Sequence, residues 1–404
     1  LSNPQRNALL VAIAAGAVFA LGLGIRQAQP LFISAINSHT LAGYATISLA
    51  FGIAQLMWGL VQPFAGAISD RFGPRPVMVS GALLLAAGTA LLPLASNAVA
   101  LVLLIGVVSA LGAGTLGPAL LVSAASRWIP EAKRSMAAGI INAGGSFGQF
   151  TLIPLAQLAI GLAGWQPALV IVGATGLLAV PVLLWLTRGA SAHAAAHGAA
   201  PGATTLRQAL REAAGDRSYL LLGAGFFTCG FHVAFISTHL PGVVALCELP
   251  ATVGAWSLSI IGLFNIAGSL WAGKVIQAWL MKLTLAGIYF ARALIILIFF
   301  FSPKTEIAFF LFAAGIGFTY LSTVPPTIGL VAKLHGPRYM ATLFGIVMVS
   351  HQVGGLLGAA LGGKALEATG SFDWMWWADI ALCLFAAAVH LPIREARRPA
   401  AAAA

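Results

Sequence analysis

Apolar runs of about 20 residues, enough for one helix to cross a bilayer core, recur along the whole chain between short polar breaks. They predict spans at about 8–36, 42–66, 77–96, 98–126, 136–160, 166–187, 218–240, 251–273, 283–301, 306–332, 340–363 and 375–393. Several contain Gly or Pro, which membrane helices tolerate because neighbouring helices re-satisfy the backbone. The expected fold is an all-α membrane protein with twelve transmembrane helices. The first apolar run is too long for a signal-peptide core and leads into further spans, so no cleavable leader is expected.

Composition narrows the class. Of 404 residues, 60% are hydrophobic and 8% charged, with a mean hydropathy of +0.95. A soluble domain is about one quarter charged, so this chain lacks the charge to cover a water-facing surface of its size. That excludes a cytosolic enzyme, a nucleic-acid binder and a disordered protein. The net charge of +11 reflects topology. Seventeen of the 21 Lys and Arg fall on one side of the predicted spans: Arg6, Arg71, Arg75, Arg127, Lys133, Arg134, Arg188, Arg207, Arg211, Arg217, Lys274, Lys282, Lys333, Arg338, Arg394, Arg397 and Arg398. The other side holds only Lys304 and Lys364, while Arg26 and Arg292 lie within spans. The positive-inside rule then puts both termini in the cytoplasm, with the chain a multi-pass protein of the plasma (inner) membrane. Cys229, Cys247 and Cys383 share no metal-type spacing and give neither a disulfide framework nor a zinc site.

The connection 188–217 differs from the rest, being rich in Ala and Gly and carrying four Arg. It divides the chain into a first six-helix bundle at 1–187 and a second at 218–404, with Thr205–Ala214 expected as a short amphipathic helix on the membrane surface. Sliding the second half on the first gives ordered matches. At an offset of 206, Gly24-Ile25-Arg26 overlays Gly230-Phe231-His232, Arg127 meets Lys333, Gly139-Ile140 meets Gly345-Ile346 and Gly148 meets Gly354. At 207, Pro118 meets Pro325 and Gly66 meets Gly273. Two pseudo-symmetric halves are the plan of a transporter that rocks around a central site.

Between the second and third spans stand Gly66, Asp70, Arg71, Gly73, Pro74 and Arg75. Gly66 is expected to let helices approach, Gly73 to permit a tight turn, and Asp70 to pair with cations or a helix N-terminus as a conformational lock. An ordinary charged turn is the plainer reading. The segment resembles the loop signature of the major facilitator superfamily (Gly, three residues, Asp, Arg, any residue, Gly, then basic residues), with Pro74 where a basic residue is usual. Gln277 stands where the second half would carry the matching Asp. Within that superfamily, Lys133-Arg134 through Gly139, Gly144, Gly145 and Gly148 is similar to the monocarboxylate-transporter and oxalate/formate-antiporter branch. The Gly-Pro pair usual in drug exporters is missing there, since Gln149 follows Gly148. Two features of animal monocarboxylate carriers are also absent: the acidic-Gly opening of span one and the Asp and Arg pair of span eight. The resemblance implies a secondary carrier, monomeric as is usual in the superfamily.

Candidate chemistry lies in mid-span polar residues. An Arg at the bilayer centre costs roughly 2.5–3.5 kcal/mol, so it normally faces a cavity or a partner. All acidic residues except Asp379 fall in loops or at span ends, and Asp379 lies near the outer end of the last span. Arg26 thus lacks an evident counter-ion, which a substrate carboxylate could supply through a bidentate fork. Bonding to backbone carbonyls is its alternative. His232, at the matching place in the other half, and His351 are candidates both for binding and for carrying a proton; each could instead be a helix–helix hydrogen bonder. Gln29, Gln55, Asn142, Asn265 and Tyr320 are placed to line a cavity or to act as interhelical glue. Arg292, in span nine, is expected to be structural. Trp374, Trp376 and Trp377 read as an aromatic belt.

The leading expectation is a secondary transporter of a small organic anion, a monocarboxylate, working by alternating access with protons or by exchange. The alternative is a proton-coupled exporter of lipophilic compounds. A membrane-embedded enzyme would need a catalytic set at common depth, and no His-Glu-x-x-His, paired Asp or Ser/Lys set falls in the spans. No Walker loop is present, and neither a metal nor an organic cofactor is expected. Expected partners are the anion, protons and membrane lipid, with no nucleic acid.

Overall fold

The computed structural model describes residues 4–188, 205–336 and 339–395, with side chains from Ala8 onward, and it is helical with no strand among them. Arg338, Arg397, Arg398 and the linker residues 189–204 lie outside the described residues. Each predicted span falls on a helix: α1 (Ala8–Thr40), α2 (Tyr44–Phe72), α3 (Pro74–Ala90), α4 (Ala98–Ser126), α5 (Glu131–Ala163), α6 (Trp165–Leu186), α7 (Arg217–Leu246), α8 (Ala251–Ala278), α9 (Met281–Phe301), α10 (Glu306–His335), α11 (Met340–Thr369) and α12 (Asp373–His390). Ten are long and apolar enough to cross a membrane. The other two are α3, with 17 residues before a bend at Leu92–Leu94, and α12, whose 18 residues include Asp373 and Asp379.

Local chemistry sets the ends. Gly73 adopts φ 85° between α2 and α3, a left-handed conformation that a side chain resists, and Pro74 then starts α3 where a missing N–H costs nothing. Asn97, Asp216 and Thr305 cap α4, α7 and α10 through their side-chain oxygens. The amphipathic helix expected before α7 is Leu206–Gly215, capped by Thr205 and resting on buried Ala209 and Ala213.

Small residues set the packing, because helices in lipid gain by close approach rather than by escape from water. Where α1 crosses α5, Gly144 lies on the backbone of Gly16, Gly148 on that of Ala20, and Gly24 against Gly148. Where α7 crosses α11, Gly230 lies on the backbone of His351, and Gly354 and Gly358 on those of Phe227 and Phe231. The internal matches of Gly24 with Gly230 and of Gly148 with Gly354 therefore mark two crossings built alike. The match of Pro118 with Pro325 marks two interrupted helices. In α4 the chain breaks at Leu116–Gly117, and in α10 at Tyr320–Thr323.

Helices before the linker meet those after it along two seams. On the α2–α11 seam, Gly363 lies on Ser48 and Tyr44, Gly52 on Leu356, and Gly355 on Gln55. The Glu367 carboxylate accepts from Ala45 N–H (2.9 Å), capping the start of α2 across the seam. On the α5–α8 seam, Gln149 donates to Leu258 O (3.0 Å), Ser259 to Phe150 O (2.6 Å) and Asn265 to Ser146 Oγ (2.9 Å). Both seams fade toward the end that carries the Gly73 turn: a Cβ added at Gly66, Gly139, Gly273 or Gly345 would meet nothing within 4 Å. The close approach expected at Gly66 is thus absent in this conformation, because the helix ends around it have parted. Trp376 also departs from the expected belt. It is buried against Phe235, Phe299 and Phe312, whereas Trp374 and Trp377 remain exposed.

Candidate functional site

Arg26 sits where α1 approaches its break at Gln29–Phe32, half-buried between the two sets of helices. Its Nη2 donates to Gln55 Oε1 on α2, and its guanidinium carbon stands 5.2 Å from the Trp58 ring centre. Tyr320, from the break in α10, is close enough to interact with it electrostatically. Arg26 Nε has no hydrogen-bond partner, and among the described residues no carboxylate lies within 4.0 Å of its nitrogens. A charge held by one amide, one ring face and a neutral phenol leaves donors for an anion.

The structure groups Gln55 and Tyr320 with Arg26 and draws other candidates away. Gln29 turns from the Arg26 side: its amide donates to Thr89 Oγ1 (2.9 Å) and Ser109 Oγ (2.7 Å), binding α1 to α3 and α4. Asn265 is committed to Ser146 Oγ and to Leu321 N–H (3.0 Å), joining α5, α8 and the break in α10. Asn142 is exposed and bonds back to Ala138 O (2.9 Å). Because Gly144 lies on Gly16, it stands some ten residues of α1, roughly 15 Å, from Arg26. For Gln29 and Asn265 the interhelical role is what the geometry displays.

His232 meets a partner that the sequence did not point to. It is fully buried, and its Nδ1 lies 2.7 Å from Asp379 Oδ2 on α12, itself fully buried. Asp379, in the first half of α12, is thus brought against the middle of α7 at His232. The helical bundle does contain a fully buried carboxylate. Arg292 borders the same cluster. It is fully buried, donates through Nη2 to Thr319 O and Tyr320 O (3.0 Å), and lies within electrostatic range of Asp379. Its Nε and Nη1 have no hydrogen-bond partner. Cys229 (α7) and Cys383 (α12) border this cluster, with Cys229 Sγ 3.2 Å from Thr323 Oγ1 and Cys383 Sγ 3.9 Å from Asp379 Oδ1. His351 is buried with its ring 5.0 Å from that of Phe226 and its Nδ1 unpartnered. Beside it, Gln352 is buried at the α2–α11 seam with both amide atoms unpartnered, a polar residue the sequence reading passed over. An acid inside the run Ala378–Leu382 was the signal for Asp379.

At the parted end of the seams, Asp70, Arg71 and Arg75 are exposed and form no ion pair among the described residues. Arg71 stands over the Phe72 ring, 5.1 Å from its centre. The pairing expected of Asp70 is not made in this conformation.

The described residues form helices, ten of them long and apolar enough to cross a membrane, with a half-buried cation between those before and those after the linker, which is the build of a polytopic membrane protein. Residues 9–355 match the Major Facilitator Superfamily, and the chain belongs to it. It is 26% identical over 360 residues to an uncharacterized MFS-type transporter, YcxA, of Bacillus subtilis (strain 168), covering 87% of both chains. To monocarboxylate transporter 13 of Rattus norvegicus it is 27% identical over 337 residues, covering 80% of this chain and 73% of that one. A bacterial homolog of the human lysosomal transporter Spinster, solved in an inward-facing and unoccupied conformation, shares the fold with a TM-score of 0.67 at 17% identity, covering 97% of this chain and 95% of that one.

Proposed function

We propose that this protein is a secondary carrier of small organic anions, monocarboxylates, with Arg26 as the anchor for the substrate carboxylate. In this reading twelve helices cross the inner membrane as two six-helix bundles, 1–187 and 218–404, joined by the linker 188–217. Both termini are cytoplasmic, and the chain works as a monomer. The observation that carries the reading is Arg26 itself, a half-buried guanidinium between the halves with spare donors and no carboxylate within ion-pair reach among the described residues. The similarity to a monocarboxylate transporter over most of the chain supports the same substrate class.

Gln55 and Trp58 hold the guanidinium until a carboxylate displaces them, and Tyr320, whose hydroxyl donates to Val233 O, borders the site from the opposite half. The parted seam ends then correspond to the cytoplasmic mouth, and Gly66, Asp70, Arg71, Gly73 and Arg75 form the lock that closes it. The test is uptake of radiolabelled acetate, lactate and pyruvate by the purified protein in proteoliposomes. Saturable uptake of at least one is expected. Failure of all three, together with export of a lipophilic dye, would replace this reading with the drug-exporter alternative.

A further inference from the structure

We propose that the buried pair His232–Asp379 is the site that takes up and releases a proton in the transport cycle, and that Arg292 passes its protonation to the break in α10. The proposal rests on the carrier reading above and deepens it by naming the coupling site. Asp379 is fully buried, and its one ring partner is His232 at 2.7 Å. His232 Nε2 is buried with no hydrogen-bond partner. The pair therefore has a site for one further proton, and carboxylate and imidazole can share or exchange one along the existing contact.

The groups around the pair come from five helices. They are Cys229 on α7, Tyr289 and Arg292 on α9, Tyr320 and Thr323 on α10, His351 on α11 and Cys383 on α12. Asp379 is the one acid among them and Arg292 the one permanent cation, so the cluster is charge-balanced when His232 is neutral. Uptake of one proton from water forms one N–H or O–H bond and leaves the cluster with one net positive charge; release reverses that step.

Arg292 makes the added charge felt elsewhere. Its guanidinium donates to the carbonyls of Thr319 and Tyr320, which end the first segment of α10, and lies within electrostatic range of Asp379 without forming an ion pair with it. A helix C-terminus is electronegative and holds a cation there. Neutralising Asp379, or charging His232, shifts Arg292 toward those carbonyls. The break they border is tied in two directions. Leu321 N–H donates to Asn265 Oδ1, and Asn265 donates to Ser146 Oγ on α5, across the seam that must open during the cycle. Tyr320 donates to Val233 O (3.1 Å), beside His232, and interacts with Arg26. The break in α10 is thus in contact with the surroundings of the pair, with the substrate anchor and with the interface between the halves.

His232, Asp379 and Cys383 also present donor atoms within 4.8 Å of one another, a grouping that could hold a metal ion. The neighbouring Arg292 repels a divalent cation about twice as strongly as the single charge of a proton, so its field disfavours the metal more.

Two measurements on the full chain test the proposal. First, acidification of the detergent-purified protein is followed with a pH-indicator dye. Asp379→Asn is expected to bind about one proton per chain fewer than wild type between pH 5 and 9, whereas equal proton binding overturns the proposal. Second, lactate transport is measured in proteoliposomes with and without an inside-alkaline pH gradient. Asp379→Asn is expected to retain lactate–lactate counterflow but to lose gradient-driven accumulation, its ratio falling to about one. Gradient-driven accumulation at the wild-type ratio overturns the proposal, as does a wild type indifferent to the gradient, while the anion reading survives both. If wild type shows no counterflow at all, the substrate reading is what fails, and the proton-binding comparison still decides the pair. Should Asp379→Asn not fold, Asp379→Glu keeps a carboxylate and is expected to keep accumulation with a displaced pH midpoint; loss of all pH response there overturns the assignment. Stoichiometric zinc in purified wild type that disappears in Cys383→Ser also overturns it, in favour of a metal site.

Discussion

Replacing Arg26 with Gln separates a binding cation from a structural one. The wild-type guanidinium has one side-chain hydrogen bond, to Gln55, a ring contact with Trp58, and an unpartnered Nε. A carboxylate docked on it gains two charge-assisted hydrogen bonds worth about 1.5–3 kcal/mol each. Giving up the Gln55 and Trp58 interactions returns roughly 1–2 kcal/mol. A net 2–4 kcal/mol remains, and at 1.4 kcal/mol per decade the affinity of Arg26→Gln should fall about 30- to 700-fold. Stability should move the other way or stay level, since the substitution removes a cation whose membrane cost is roughly 2.5–3.5 kcal/mol and which no carboxylate offsets. Thermal unfolding in detergent, with and without lactate, measures both. Expected is an unliganded melting temperature at or above wild type, with the ligand-induced rise abolished. Binding within threefold of wild type, or a large loss of unliganded stability, would refute the anchor role. Arg292→Gln is the contrast: it removes a fully buried guanidinium that bonds two backbone carbonyls at the break in α10 and leaves them unsatisfied, at about 1–3 kcal/mol, so that variant should melt lower whether or not ligand is present.

Three further outcomes follow from the packing. Gly148→Val should destabilise the protein by at least about 3 kcal/mol, because its Cβ would fall on the Ala20 backbone, whereas Gly139→Ala, facing open space, should change stability by no more than about 0.5 kcal/mol; thermal melts of the two decide it. Glu367→Ala removes the cap on α2 and should weaken the α2–α11 seam by about 0.5–2 kcal/mol. With Cys247 replaced, a Ser48→Cys probe at that seam should then react faster with a membrane-impermeant maleimide, and an unchanged rate would remove Glu367 as a latch. Asp70→Asn should leave the melting temperature nearly unchanged, since Asp70 is exposed and unpaired in this conformation. It should nevertheless slow transport if the lock forms when the mouth closes, and wild-type rates in vesicles would show that it does not.

The residues differ in how plainly they announced themselves. Helix positions followed from hydropathy, because lipid forces each crossing backbone to satisfy its own hydrogen bonds and leaves turns to polar breaks such as Gly73-Pro74. The matched crossings at Gly24 and Gly230 followed from the repeat, because close helix approach in lipid selects small residues. Arg26 stood out by its depth in an apolar run. What the linear chain withheld was partnership. His232 and Asp379 are 147 positions apart, and whether they meet depends on how deep α12 sits against α7 and how each helix is turned about its axis. The same rotation sends Gln29 to Thr89 and Ser109 while leaving Arg26 with Gln55. Hydropathy reports the cost of leaving water and carries no angle between distant helices, so the family, the spans and the buried cations are written in the sequence. The partner of each cation is decided only once the bundle has packed.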